Sequence, residues 1–116
     1  MSDLVDVTIE ERDGIVIARV TGELDIAGAP RTGEAITRAV PTTARGLVVD
    51  FGPLQFIDSS GVAMLFSLAR RLGSRRQELR LVAPEGGPVA RVLDIVEFER
   101  AAPIHGDVEE AIASFE

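Results

Sequence analysis

Val5, Val7 and Ile9 alternate with Asp6, Thr8 and Glu10, the period of two that gives a strand one dry and one wet face. Such a strand belongs at or near the edge of a sheet. Arg12-Asp13-Gly14 follows as a hairpin turn, because glycine after aspartate accepts the positive φ that tight turns require. Residues 15–20 return as a second, more continuously apolar and therefore more central strand, and Thr21-Gly22-Glu23-Leu24-Asp25 reads as the turn that ends it. Pro30 suits the first turn of a helix whose narrow apolar stripe is Ala35, Ile36, Ala39 and Val40, weakened by Gly33 and closed by Pro41. Residues 46–51 are almost wholly apolar, as in a parallel strand covered on both faces, and are placed mid-sheet.

Leu54, Phe56 and Ile57 then lead into the polar turn Asp58-Ser59-Ser60-Gly61. Beyond it Val62, Leu65, Phe66, Ala69 and Leu72 recur at helical spacing, so a helix starts near Ser59 and carries one apolar face. Gly73 stands where a left-handed cap would close it, with Arg70 and Arg71 at the negative end of its dipole. Residues 79–82 form a further strand, Gly86-Gly87-Pro88 a loop, and Val89, Val92, Leu93 and Val96 a second regular helix. Residues 102–104 suit a last short strand. Asp107 and Glu110 resemble a capping box ahead of Val108, Ala111, Ile112 and Phe115.

The order β, β, α, β, α, β, α, short β, α predicts an α/β fold. Its single mixed, mostly parallel sheet has about four or five strands, an N-terminal antiparallel hairpin and about four covering helices. In such sheets, ligands and partners gather at the loops after the carboxyl ends of strands. Asp25 and the run from Asp58 to Gly61 both fall in such loops.

Composition narrows the function. The 116 residues suit one domain, 1–116, with a substantial core, since 46% are hydrophobic. A net charge of −7 disfavours nucleic acid or an anionic membrane as partner and leaves proteins. No apolar run is long enough to span a bilayer, and no basic N-terminus leads into an apolar signal segment, so the chain reads as cytoplasmic. Cysteine is absent and all 12 basic residues are arginine, which removes disulfides, thiolate metal sites, Schiff-base lysines and lysine-bearing phosphate loops. Trp and Tyr are also absent, and with them the usual stacking platforms for bases. No cofactor and no metal site is expected, and the helices, each with one apolar face, predict a monomer.

The turn at 58–61 admits two readings. In one, Ser59 or Ser60 merely caps the helix. In the other, three consecutive oxygen-bearing side chains at the positive end of a helix dipole form a surface site that tolerates an added phosphate. A hydrolase elbow requires glycine where Ile57 stands, and the lone His105 is remote in sequence, so no catalytic residue is assigned. Asp58 as a phosphoryl acceptor of the receiver kind lacks the lysine that chemistry uses. Arg70, Arg71, Arg75, Arg76 and Arg80 form a local basic patch, read first as a solvated helix end and second as a surface for an acidic partner. His105 is given no role.

Thr21-Gly22-Glu23-Leu24-Asp25 together with Phe56-Ile57-Asp58-Ser59-Ser60-Gly61-Val62 resembles the signatures of the STAS domain, and within it the bacterial anti-sigma factor antagonists. The resemblance spans nearly the whole chain; Val62-Ala63 stands where many members have leucine-glycine. It implies that Ser59 is phosphorylated by an anti-sigma factor that is itself an ATP-dependent serine kinase. Unphosphorylated antagonist binds that kinase and frees the sigma factor; phosphorylation switches binding off, and a serine phosphatase restores it. Asp25, Asp58, Ser59, Ser60 and Gly61 are the partner-binding residues the resemblance implies. The alternative is a constitutive STAS adaptor in a stress-signalling or lipid-transport complex, without a phosphoswitch.

Overall fold

The structure is a computed structural model and describes residues 5–115. Strands β1 (Val5–Arg12) and β2 (Ile15–Leu24) pair antiparallel through a turn in which Asp13 and Gly14 both have positive φ, 54° and 80°. Two such residues match the twist of the strands they join. The elements that follow are α1 (Ala29–Ala39), β3 (Gly46–Asp50), β4 (Leu54–Ile57), α2 (Ser59–Ser74), β5 (Glu78–Val82), α3 (Pro88–Ile95), a 3₁₀ turn (Phe98–Arg100), β6 (Ile104–His105) and α4 (Val108–Ala113). The sheet runs β1-β2-β3-β5-β6, with β4 also on β2, and every pairing after the hairpin is parallel. The mixed α/β architecture is therefore the one the sequence pattern predicts, and residues 46–50 lie mid-sheet and fully buried.

Three expectations change. Thr21 to Leu24 do not turn: they prolong β2, with Gly22 at φ 96° and a register shift between Gly22 and Glu23. A glycine-bearing bulge lets the strand bend without ending. Second, the segment read as an apolar approach is a strand, β4, so the sheet has six strands. It escaped the pattern because its four residues read buried, exposed, exposed, buried, which is no period at all. Third, α2 passes through Gly73; Arg75 is its C-cap and Arg76 is the left-handed residue, at φ 59°. Gln77 N–H reaches back to the Leu72 carbonyl at 2.9 Å, closing the helix three residues later than a left-handed Gly73 would.

The sheet buries its two faces unequally. Val16, Ala18 and Val20 of β2 join Leu47, Val49 and Leu81 in the main core, against Ile36, Leu65, Leu68, Leu72 and Leu93 of the helices. Ala35 of the expected α1 stripe is exposed, and Ala29 and Thr32 are buried in its stead; in α2 the buried face also takes Met64 and Leu68. Among the described residues, the opposite face is covered by α4 alone, over Ile15, Ile17, Val48 and Val82. Asp107 caps α4, accepting from Glu110 N–H at 2.8 Å, while Glu110 Oε1 accepts from Gly106 N–H at 3.3 Å, close to the expected capping box.

Candidate functional site

β2 is paired with β3 through Ile15–Arg19, and where β3 stops β4 takes its place alongside Gly22 to Leu24. Leu24 and Ile57 thus end as register partners. The rung is completed by a hydrogen bond of 3.1 Å from Asp58 N–H to the Leu24 carbonyl. Two loops distant in sequence, one after Leu24 and one after Ile57, leave the sheet side by side.

In the first loop Asp25 organises its own backbone. Its carbonyl accepts from Gly28 N–H at 3.1 Å and Ala29 N–H at 2.8 Å, and its Oδ1 accepts from Ala27 N–H at 3.0 Å. This closes the entry to α1 without a side-chain cap at Gly28. In the second loop Asp58 does the capping: Oδ1 accepts from Ser60 N–H at 2.8 Å and from Gly61 N–H at 3.2 Å, and its carbonyl accepts from Val62 N–H at 3.0 Å. An extended residue with a short carboxylate is the favoured N-cap. Neither serine caps the helix, contrary to the simpler sequence reading. The same bonds occupy the Ser60 and Gly61 amides at the helix start.

Ser59 is the first residue of α2 and is exposed, while Ser60 is half-buried. Ser60 lines one end of a groove of about 480 Å³ between α1 and α2, whose other walls include Gly33, Met64, Leu68 and Arg71. Among the described residues neither serine hydroxyl has a hydrogen-bond partner. Gly61 fixes the height of the helix over the sheet. A Cβ there would stand 2.7 Å from Ile57 Cγ1 and 3.0 Å from Leu24 Cγ, so only a glycine lets α2 start directly above the Leu24–Ile57 rung. All the sequence-predicted site residues, Asp25, Asp58, Ser59, Ser60 and Gly61, therefore lie at or beside the ends of β2 and β4.

Other candidates do not join them. Arg80 pairs with Glu78, donates to Ser114 Oγ at 2.8 Å and lies 4.6 Å from the centre of the Phe115 ring. Arg75 donates to the Val40 carbonyl at 3.2 Å and Arg70 to Ser67 Oγ at 3.3 Å. Three of the five arginines of the run, Arg70, Arg75 and Arg80, are thus held in separate structural contacts. His105 sits on β6, separated from β2 by β3 and β5, with Nδ1 3.8 Å from Glu110 Oε1. Asp50, buried and unremarked in the sequence, accepts from Gly52 N–H at 2.8 Å and from Arg19 Nε at 3.0 Å; it holds the turn between β3 and β4. Among the described residues no three acidic, histidine or cysteine side chains converge as a metal site, and no helix is long and apolar enough to cross a membrane.

The arrangement presents the exposed Ser59 hydroxyl next to a carboxylate, Asp58, that is already committed to the amides of Ser60 and Gly61. Comparison with known proteins gives a consistent picture. A model of the STAS domain family matches residues 6–111. The anti-sigma-F factor antagonist RsfA of Mycobacterium tuberculosis is 29% identical over 116 residues, covering 98% of this chain and 90% of the relative. The crystal structure of an anti-sigma factor antagonist from Mycobacterium paratuberculosis superposes with a TM-score of 0.86 at 23% identity, covering 96% of this chain and 93% of the other. The Bacillus cell-fate determinant SpoIIAA in its phosphorylated form gives 0.72 at 23% identity, covering 96% and 100%.

Proposed function

The chain belongs to the STAS domain family, and from that premise we propose that it is an anti-sigma factor antagonist switched by phosphorylation of Ser59. Unphosphorylated, it binds an anti-sigma factor that is an ATP-dependent serine kinase and so releases the sigma factor. The kinase transfers the γ-phosphoryl group to Ser59 Oγ: the new P–O bond forms as the bond to ADP breaks, and the hydroxyl proton passes to a base of the kinase. A serine phosphatase reverses the modification. The names of curated relatives support antagonist activity.

The observation that carries the switch is the exposure of Ser59 beside a cap that does not need it. A constitutive adaptor would use the serines as caps, but Asp58 fills that place. Release follows from electrostatics. Phosphorylation adds about 1.5 to 2 negative charges next to Asp58, whose carboxylate already holds the amides of Ser60 and Gly61. The new dianion also faces the ADP phosphates left in the kinase site, and like charges at a desolvated contact oppose binding.

Calorimetric titration of the anti-sigma serine kinases encoded in the same genome tests the proposal. Wild type and Ser59→Ala should bind one of them, and Ser59→Asp, equally folded, should bind it at least about tenfold more weakly. Equal binding by Ser59→Asp would remove the switch and leave the adaptor reading.

A further inference from the structure

Large apolar side chains in the open are few among the described residues: Ile9, Ile26, Phe56, Ile95 and Val96. Ile26 and Phe56 belong to the ends of β2 and β4. Ile26, 76% exposed, lies two residues beyond Leu24, and Phe56, 47% exposed, lies one residue before Ile57. Both flank the rung on which Asp58 and Ser59 stand.

Their exposure has a structural origin. Leu24 and Ile57 lie beneath Gly61 and so point to the α2 side of the sheet. Phe56, exposed where its neighbour Ile57 is buried, turns away from the main core beside its register partner Glu23. On the opposite face α4 covers Ile15, Ile17, Val48 and Val82 and does not extend to Phe56. Ile26 is held outward because the backbone on either side is committed to Asp25, through Ala27 N–H to Oδ1 and through Gly28 and Ala29 N–H to the carbonyl. Neither side chain belongs to the core; Asp25 precedes Ile26 in the chain, Asp58 follows Phe56 by two residues, and Glu23 is the register partner of Phe56.

Resting on the reading of Ser59 as the kinase's substrate, we propose that Ile26 and Phe56 are the apolar anchors by which the kinase grips the chain on either side of that serine. Apolar side chains that bury fully on binding, within a polar rim, carry most of an interface's energy. The partner that fits is a nucleotide-binding domain with an apolar crease on each side of its γ-phosphate position and basic residues at the rim, opposite Glu23, Asp25 and Asp58. Gripping both flanks also aligns the Ser59 hydroxyl for in-line transfer, which rests on positioning above all.

The test compares four single variants, Ile26→Ser, Phe56→Ser, Ile9→Ser and Ile95→Ser, for affinity to the cognate kinase by calorimetry, with thermal unfolding as the control for folding. Ile26→Ser and Phe56→Ser should each weaken binding roughly tenfold or more. Ile9→Ser and Ile95→Ser, of similar exposure but on β1 and α3, should stay within about twofold of wild type. Wild-type affinity in Ile26→Ser, or equal losses in Ile95→Ser, would overturn the anchors while leaving the switch standing. If wild type binds no such kinase, both proposals fall together.

Discussion

Asp58 donates its backbone N–H to the Leu24 carbonyl at 3.1 Å and accepts, through its side chain, the amides of Ser60 and Gly61. One residue thereby closes the last rung between β2 and β4 and opens α2. The exposed Ser59 has its position fixed by a neighbour, leaving its own hydroxyl without a structural duty.

Removing that cap should cost stability. Asp58→Ala leaves the amides of Ser60 and Gly61 without their acceptor, for a loss of about 1 kcal/mol, or roughly 4 °C in Tm for a chain of this size. Asp58→Asn, which keeps a capping oxygen, should restore most of it. Thermal unfolding followed by circular dichroism measures both; no change in Asp58→Ala would show that the cap is dispensable.

Ser60→Ala should behave differently from what a serine cap implies. Its hydroxyl has no partner among the described residues and its amide is already bound, so Tm should be unchanged and phosphorylation by the kinase retained. A loss of about 1 kcal/mol would reinstate Ser60 as a cap.

Gly61→Ala introduces a Cβ 2.7 Å from Ile57 Cγ1. Helix propensity favours alanine by about 1 kcal/mol, yet the overpacking should outweigh it, giving net destabilisation of about 1–3 kcal/mol. Chemical denaturation resolves a change of this size. Stabilisation would mean that α2 can lift from the sheet freely.

Most of the apolar side chains of α1, α2 and α3 are spent on the main core, Ile95 and Val96 at the end of α3 excepted, so the protein should be a monomer at micromolar concentration. Light scattering coupled to size exclusion should give 12.4 kDa. A stable dimer would contradict this and point to a self-interface among the exposed apolar residues Ile9, Ile26, Phe56, Ile95 and Val96.

Much of this was legible in the sequence, for identifiable reasons. Strands β1, β3 and β5 and helices α2 and α3 carry either a clean period or a continuous apolar run, and Asp58 to Gly61 stood out as a polar break before a helix. What escaped depends on contacts between distant segments. β4 is a strand only because β3 ends at Asp50 and leaves Gly22 to Leu24 unpaired. Which of Asp58, Ser59 and Ser60 caps α2 depends on Asp58 being held extended by Leu24, a restraint no local pattern reveals. Ile26 had no signal, because a single isoleucine in a turn has no periodicity; only its 76% exposure beside the serine distinguishes it.

The central claim is that Ser59 is the modified residue, and mass spectrometry of the protein after incubation with its kinase and ATP tests it most directly. The account predicts one phosphate, located on Ser59 by fragmentation, absent from Ser59→Ala and present in Ser60→Ala. Phosphate on Ser60 alone, or none on a protein that binds the kinase and is presented with ATP, would contradict it.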